Sequence, residues 1–387
     1  MSSRPSRFHD LDLTAYALPA DFGERFHSPG LVIYLDHVRE NLRRVVAYAG
    51  GDVDRWRAHV KSTKIPAVFA ELARAGLRHF KTATTRELRH LLEALEREGV
   101  DGADVLMAYP LRPPALGYVG RLAEGHPGVR VSVLCEDPGL VGDIPPSVSV
   151  FADVNPGMNR TGIPGEDGAT LAALARAAGP RFRGVHYYDG HLYEGSAESR
   201  RRLVFGVYER LLERVRELRE AGLPVGEIIT SGTPTFRHAL AYEPFAELGE
   251  TRHRISPGTV VYHDTRSEEE NENVDLLPAA LVFARVVSHP APGIATCDAG
   301  SKSVAAEAGD PCALVLGHPE LEAQTPNEEH LPLRATAGER PPRGTPLLLI
   351  PRHVCPTINL AEEAVLIEGG HVRDVVPVSA RAHELRV

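Results

Sequence analysis

The sequence predicts a (β/α)8 TIM-type barrel followed by a second, C-terminal all-β domain, on three observations. Eight short apolar runs alternate with helix-length amphipathic segments over about 230 residues, the usual size of such a barrel. After Tyr262 helical periodicity fades, and short β-like runs punctuated by proline and glycine take over. Residue types able to do chemistry fall just after the apolar runs, where a barrel carries its active-site loops.

The eight expected strands are 56–61, 80–84, 105–109, 130–135, 148–155, 184–189, 228–230 and 260–262. Helical patterns lie between most of them, at 66–75, 85–98, 115–124, 167–178, 196–221 and 236–247. A further helix is expected at 35–49, where Val38, Leu42, Val45 and Val46 recur at helical spacing. Thr85 and Ser196 are plausible N-caps. The segment 137–146, rich in proline and glycine, is the weakest of the expected helices, and a doubly wound open sheet is the competing architecture. The acidic stretch Ser267-Glu268-Glu269-Glu270-Asn271-Glu272-Asn273 reads as a solvated loop. Beyond it, β runs are expected at 280–288, 293–298, 311–316, 346–350, 363–368 and 371–377. The division expected is a barrel over 28–262 and a β domain over 263–387 that includes part of 1–27.

The bulk properties exclude several classes. With 387 residues, 43% hydrophobic and 25% charged, the chain is an ordinary globular one with material for a sizeable core. The net charge of -9 and the scattered lysines and arginines argue against a nucleic-acid surface. No apolar run reaches the roughly 18–20 residues of a membrane helix, and the first ten residues show no secretory h-region. The four cysteines (Cys135, Cys297, Cys312, Cys355) are far apart, which suits a reduced cytoplasmic protein rather than a disulfide framework.

Lys61 is the most informative single residue. It ends the first expected strand, where partial desolvation favours a neutral amine able to attack an aldehyde, including that of pyridoxal 5′-phosphate (PLP). A solvated loop lysine is the plain alternative. Arg160, between Gly157 and Gly162, has rigid donors for an anion or a cofactor oxygen, or is a surface turn residue. His191 follows the sixth strand, and its position rather than its identity singles it out among 18 histidines. Ser231-Gly232-Thr233-Pro234-Thr235 after the seventh strand, with Ser256-Pro257-Gly258-Thr259, has the small residues that let backbone N–H groups approach a phosphate. These are otherwise two ordinary turns. His353 and Cys355, two apart in an expected extended segment, would point to one side and could grip a borderline-soft divalent metal with open positions for water and substrate.

Together these segments resemble the D-threonine aldolase and D-serine dehydratase family of PLP enzymes with an alanine-racemase-like barrel. The resemblance runs from about Pro29 to Val376. It is carried in order by Arg57-Ala58-His59-Val60-Lys61, Phe80-Lys81-Thr82-Ala83-Thr84, Ala108-Tyr109-Pro110, Gly157-Met158-Asn159-Arg160-Thr161-Gly162, Tyr188-Asp189-Gly190-His191, Ser231-Gly232-Thr233-Pro234-Thr235, Pro257-Gly258-Thr259, Glu328-Glu329-His330 and His353-Val354-Cys355-Pro356-Thr357. The resemblance implies that Lys61 carries PLP as an imine, with Lys61, His191 and His59 in catalysis. It implies PLP contacts from Lys61, Arg160, Tyr188, Ser231, Gly232, Thr233, Gly258, Thr259 and Tyr262, and a divalent metal (Zn, Mn or Mg) on His353 and Cys355. A D-amino acid substrate and a homodimer are further implications.

The chemistry so implied is retro-aldol cleavage of a D-3-hydroxy amino acid to glycine and an aldehyde, with the metal acidifying the β-hydroxyl. The alternatives are dehydration to a 2-keto acid and ammonia, or racemisation. His-x-Cys resembles the zinc pair of the dehydratases, whereas the best-known aldolases carry aspartate at the Cys355 position; the loops at 80–84, 153–162 and 188–191 look closer to the aldolases. Ala58 stands where the family usually has proline, and Thr63 where it usually has histidine. A racemase needs a second acid/base on the opposite cofactor face, and none is identifiable.

Overall fold

A parallel sheet closes on itself through Trp56. The structure is a computed structural model that describes residues 6–271 and 274–386. The first five residues, Glu272 and Asn273 of the acidic stretch, and Val387 lie outside the described residues. The chain divides into two compact units. One comprises Val45–Lys61, Phe69–Gly258 and Ala382–Val387; the other comprises Met1–Arg44, Ser62–Val68 and Thr259–Arg381.

The first unit is the barrel. Its eight strands are Ala58–His59, His79–Thr82, Ala103–Met107, Val129–Cys135, Ser149–Asn155, Phe182–Tyr187, Glu227–Thr230 and Arg252–Ile255, each parallel to the next. Closure comes from a parallel bridge between Trp56 and Ile255, with Arg57 N–H donating to the Ile255 carbonyl at 2.9 Å. Leu106, Leu134, Phe151 and Ile229 form an apolar cluster within this sheet. Gly184 is required by closure as well: a Cβ there would lie 1.9 Å from the Glu227 carbonyl oxygen of the neighbouring strand.

A buried ion network ties the same strands together. Arg57 is fully buried. It reaches Glu227 through two nitrogens at 2.8 and 2.9 Å, Asp104 at 2.9 Å, and the carbonyls of Phe80 and Asp104. Arg254 adds a 2.7 Å pair with Glu227, and Arg183 one of 3.2 Å with Asp104. Every donor of Arg57 thus has an acceptor, the condition for a buried guanidinium.

The connecting helices follow the sequence pattern, with Thr85–Arg97, Ala115–Gly125, Gly168–Ala178, Ala197–Glu220 and a short Phe236–Leu240. Thr84, not Thr85, caps the first of these by accepting from Glu87 N–H, while Glu87 accepts from Ala83 N–H, a reciprocal pair of the capping-box kind. Ser196 caps its helix as expected. The segment expected as the weakest helix is a 3-10 turn, Pro138–Asp143.

The eighth strand is misplaced in the sequence reading. It is Arg252–Ile255, and 260–262 falls in and just after a 3-10 turn, Thr259–Val261. Pro257 and Gly258 break the strand, and alternating charges in Arg252-His253-Arg254 hide an apolar signal. The loop Ser256–Thr259 therefore leaves the eighth strand rather than entering it, which puts it on the same end of the barrel as the loop after the seventh.

The second unit is the β domain. Six antiparallel strands close a ring in the order Ile294–Cys297, Leu331–Ala335, Leu321–Ala323, Ala313–Val315, Pro346–Pro351 and the long Ala280–Ala291, which pairs again with Ile294–Cys297. Val282, Val286, Ala295, Leu333 and Leu349 are among its core residues. The first half of Ala280–Ala291 also pairs with Gly30–Tyr34, which runs parallel to Glu363–Glu368 and is followed by His371–Pro377. Gly30–Tyr34 lies in the stretch that sequence reasoning assigned to the barrel; its pairing is with the β domain. The acidic stretch is not a loop over its described part: Thr265–Glu270 is a helix capped by Asp264, which accepts from Ser267 N–H at 2.7 Å. Among the described residues no helix is long and apolar enough to cross a membrane.

Candidate active site

Within the barrel unit, Lys61 sits in the single 3-10 turn Val60–Ser62 that leaves the first strand, and it is half-buried. His59 ends that strand with Nδ1 3.0 Å from the Lys81 carbonyl oxygen. Only a protonated Nδ1 can make that bond, so Nε2 keeps its lone pair. Burial, then the charges of Lys81 and Lys61, hold this imidazole well below its usual pKa, so it is neutral.

Tyr188 gathers several of the expected residues. The Arg160 guanidinium lies 4.8 Å from its ring centre and the Lys81 ammonium nitrogen 5.3 Å. A Cβ on Gly232 would come within 3.0 Å of the same ring, so the loop after the seventh strand passes it closely only because residue 232 has no side chain. Ser231 holds a left-handed φ of 63°, and its hydroxyl is fully buried without a hydrogen-bond partner among the described residues. The loop is pinned below. Gly232 N–H donates to Thr235 Oγ1, which donates to Asp189 at 2.7 Å, and Tyr208 donates to the other Asp189 oxygen at 2.5 Å. Thr233 is buried here too, and Gly258 follows the eighth strand. His191 is half-buried, with Nδ1 unpartnered among the described residues; Gly157 is its neighbour, at 3.8 Å from His191 Nε2 for a Cβ built on the glycine.

Sequence reasoning missed a second layer of this site. Lys81, on the second strand, is fully buried and reaches His186 Nε2 at 3.4 Å. His186 Nδ1 meets Asp153 at 2.8 Å, and Thr161 donates to the other Asp153 oxygen at 2.7 Å. Burial, reinforced by Lys61, Arg160 and Arg57, drives the Lys81 pKa well below the ordinary lysine value. Asp153 stays ionised because His186 and Thr161 outweigh its burial. A lysine in an apolar strand and a histidine two residues before Tyr188 were the available signals; strand alternation puts His186 and Tyr188 on one face.

Thr259, Tyr262, His353 and Cys355 belong to the β unit. His353 and Cys355 do come together, but not on extended backbone as the spacing suggested. His353 caps the helix Val354–Leu360 in an extended conformation, and Cys355 lies in the first helical turn. Their side chains are hydrogen-bonded to each other, and His353 Nδ1 also pairs with Glu307. Burial opposes the imidazolium, but the Cys355 side chain, Asp264 and Glu307 together raise the His353 pKa to about 9. Burial likewise opposes the Cys355 thiolate, and His353 outweighs it, so the thiol pKa is lowered. Cys355 Sγ lies 3.1 Å from Ser62 Oγ and 3.3 Å from Thr259 Oγ1. Tyr262 donates to the Thr63 carbonyl at 3.2 Å and is fully buried. Among the described residues no three His, Cys, Asp or Glu side chains are grouped to hold one ion.

Comparison with known proteins narrows the family. A family model described as "Putative serine dehydratase domain" matches residues 279–367. Over 379 residues the chain is 28% identical to a D-threonine aldolase from Arthrobacter sp., covering 94% of this chain and 95% of that one. It is 25% identical over 363 residues to a D-threo-3-hydroxyaspartate dehydratase from Delftia sp. (strain HT23), covering 85% and 91%. Among solved structures, D-threonine aldolase from Filomicrobium marinum superposes with a TM-score of 0.80 at 24% identity, covering 92% and 95%. Alanine racemase from Bacillus anthracis shares the fold with a TM-score of 0.64 at 15% identity, covering 91% and 98%.

The chain is similar over most of its length to members of the D-threonine aldolase and D-serine dehydratase family.

The relatives bear the names of aldolases and of a dehydratase, which are lyases. The fold is likewise the alanine-racemase-like one expected from the family motifs. The match at 279–367 falls wholly in the β unit and includes His353 and Cys355.

Proposed function

We propose that this protein is a PLP- and divalent-metal-dependent lyase that cleaves D-3-hydroxy amino acids to glycine and an aldehyde. The observation that carries the reading is Ser231: a fully buried hydroxyl without a partner, on a left-handed turn at the end of the seventh barrel strand. A buried polar atom left unpaired is costly, about 1–3 kcal/mol, and a bound anion would repay it. Gly232 leaves room for that anion beside Tyr188, and Lys61 supplies an amine after the first strand. These residues fit a phosphorylated aldehyde.

In this reading Ser231, Gly232, Thr233 and Gly258 hold the phosphate, Lys61 holds the aldehyde carbon, and Arg160 and Tyr188 border the ring. When bound, PLP supplies an electron sink for charge developing at the substrate α-carbon. The chain's own task is proton management. Burial lowers the pKa of His59 and of His191, so both rings are neutral at neutral pH, the form in which an imidazole can serve as a base. His353 and Cys355 offer the nitrogen and sulfur donors that suit zinc, and a cation there would supply a Lewis acid for the β-hydroxyl. A homodimer is part of the proposal.

Dehydration to a 2-keto acid and ammonia is the second reading, favoured by Cys355, a thiol donor within the dehydratase-type match. Incubation with PLP, Zn²⁺ or Mn²⁺ and D-threonine, D-serine, D-3-hydroxyaspartate or their L forms separates the two. Glycine with an aldehyde supports the aldolase; keto acid with ammonia supports the dehydratase. Neither product from any D substrate would overturn both.

A further inference from the structure

The His353 ring contacts two side chains, a carboxylate and a thiol. Nδ1 meets the Glu307 carboxylate, and the ring also bonds the Cys355 side chain. A carboxylate only accepts, so Nδ1 carries the proton, and Nε2 is the nitrogen whose lone pair a metal would take. The backbone around this contact is held from both sides. Asp264 accepts from Val354 N–H at 2.8 Å; Thr357 Oγ1 donates to the His353 carbonyl at 2.9 Å and accepts from Ala305 N–H at 3.2 Å. The last bond ties the segment that bears Glu307 to the helix that His353 caps.

Metal-ligating histidines almost always give their second N–H to a carboxylate, carbonyl or water, which fixes the tautomer and ring angle. We propose that Glu307 is a positioning residue of the β unit's metal site: it holds His353 so that Nε2 and Cys355 Sγ converge on one divalent cation. The inference rests on reading His353 and Cys355 as ligands. Glu307 itself is committed to Nδ1 and is not a third ligand, which leaves the remaining positions of a tetrahedral ion to water and substrate. Nothing in the sequence flags it, since it lies 46 residues before His353 in a turn.

The test needs neither PLP nor turnover. Zinc affinity of metal-stripped full-length protein is measured by competition with a chromophoric chelator, for the wild type, E307A, E307Q and H353A. E307A weakens zinc binding about 10- to 100-fold, the usual effect of removing such a partner. E307Q falls between, because its amide oxygen still accepts from Nδ1–H but brings no charge. With Co²⁺, E307A keeps the thiolate-to-cobalt absorption, which shows that Cys355 still ligates and the fold is intact. Wild-type zinc affinity in E307A overturns the role of Glu307 alone. Equal affinity in H353A and wild type overturns the metal reading and the inference with it.

Discussion

Lys81 Nζ lies 3.4 Å from His186 Nε2 inside the barrel, and His186 Nδ1 lies 2.8 Å from Asp153. With Asp153 ionised, the imidazole donates from Nδ1 and Nε2 can only accept, so Lys81 is the donor in a carboxylate–imidazole–amine chain. The lysine is fully buried with one side-chain acceptor, which costs stability if it carries charge.

Lys81→Met is therefore expected to raise stability at neutral pH, by about 1 kcal/mol or more, as removal of a strained functional group often does. The pH dependence has a definite sign. The folded-state pKa is depressed, so between it and the ordinary value of 10.5 the unfolded chain holds more protons than the folded one. Wild-type stability thus rises with pH through that window, and the advantage of the variant shrinks toward pH 10.5. Urea midpoints of both proteins at pH 7 and pH 10 measure this; an advantage that is absent, or that grows with pH, refutes it.

Lys61→Ala is expected to abolish covalent PLP attachment. Borohydride reduction of PLP-loaded wild type should leave one pyridoxyl group, located by peptide mass at Lys61. The alanine variant should remain unlabelled there and lack the visible absorbance of the lysine-linked cofactor. Unchanged absorbance in the variant would falsify the assignment of Lys61.

Ser231→Ala separates a ligand role from a structural one by sign. Without PLP the substitution removes an unpaired buried hydroxyl and should leave the melting temperature unchanged or higher. With PLP it removes a hydrogen bond to a charged group, so the dissociation constant should rise about 10-fold, roughly 1.4 kcal/mol. Fluorescence titration and thermal denaturation give the two readings. Destabilisation of the cofactor-free protein with unaltered PLP affinity would mean that the hydroxyl serves the fold.

Arg57→Ala should damage the barrel far more than its chemistry. It leaves Glu227 and Asp104 buried with fewer partners, a loss of about 3–5 kcal/mol for a broken buried ion network. Equilibrium unfolding measures it, and a loss below about 1 kcal/mol would show that Arg183 and Arg254 compensate.

Much of the barrel was legible because its strands are short, apolar and regularly spaced between amphipathic helices. Ser149–Asn155 and Glu227–Thr230 are bounded almost as their apolar runs suggest. Arg252–Ile255 was not, because its His253 and Arg254 are buried polar residues with tertiary partners: His253 Nε2 meets Thr230 at 2.8 Å, and Arg254 pairs with Glu227. Thr265–Glu270 escaped notice because six polar residues carry no apolar period, and only the Asp264 cap reveals the helix.

The order of the motifs by itself determined the family resemblance, the barrel and the candidate lysine, since each depends on local periodicity and on residue types at loop positions. The β ring's closure, the pairing of Gly30–Tyr34 far along the chain, and the Lys81–His186–Asp153 and His353–Glu307 contacts were decided only by the tertiary structure. Each joins residues tens to hundreds of positions apart, and burial, which alone changes what a lysine or a histidine can do, is a property of the packed chain rather than of any segment.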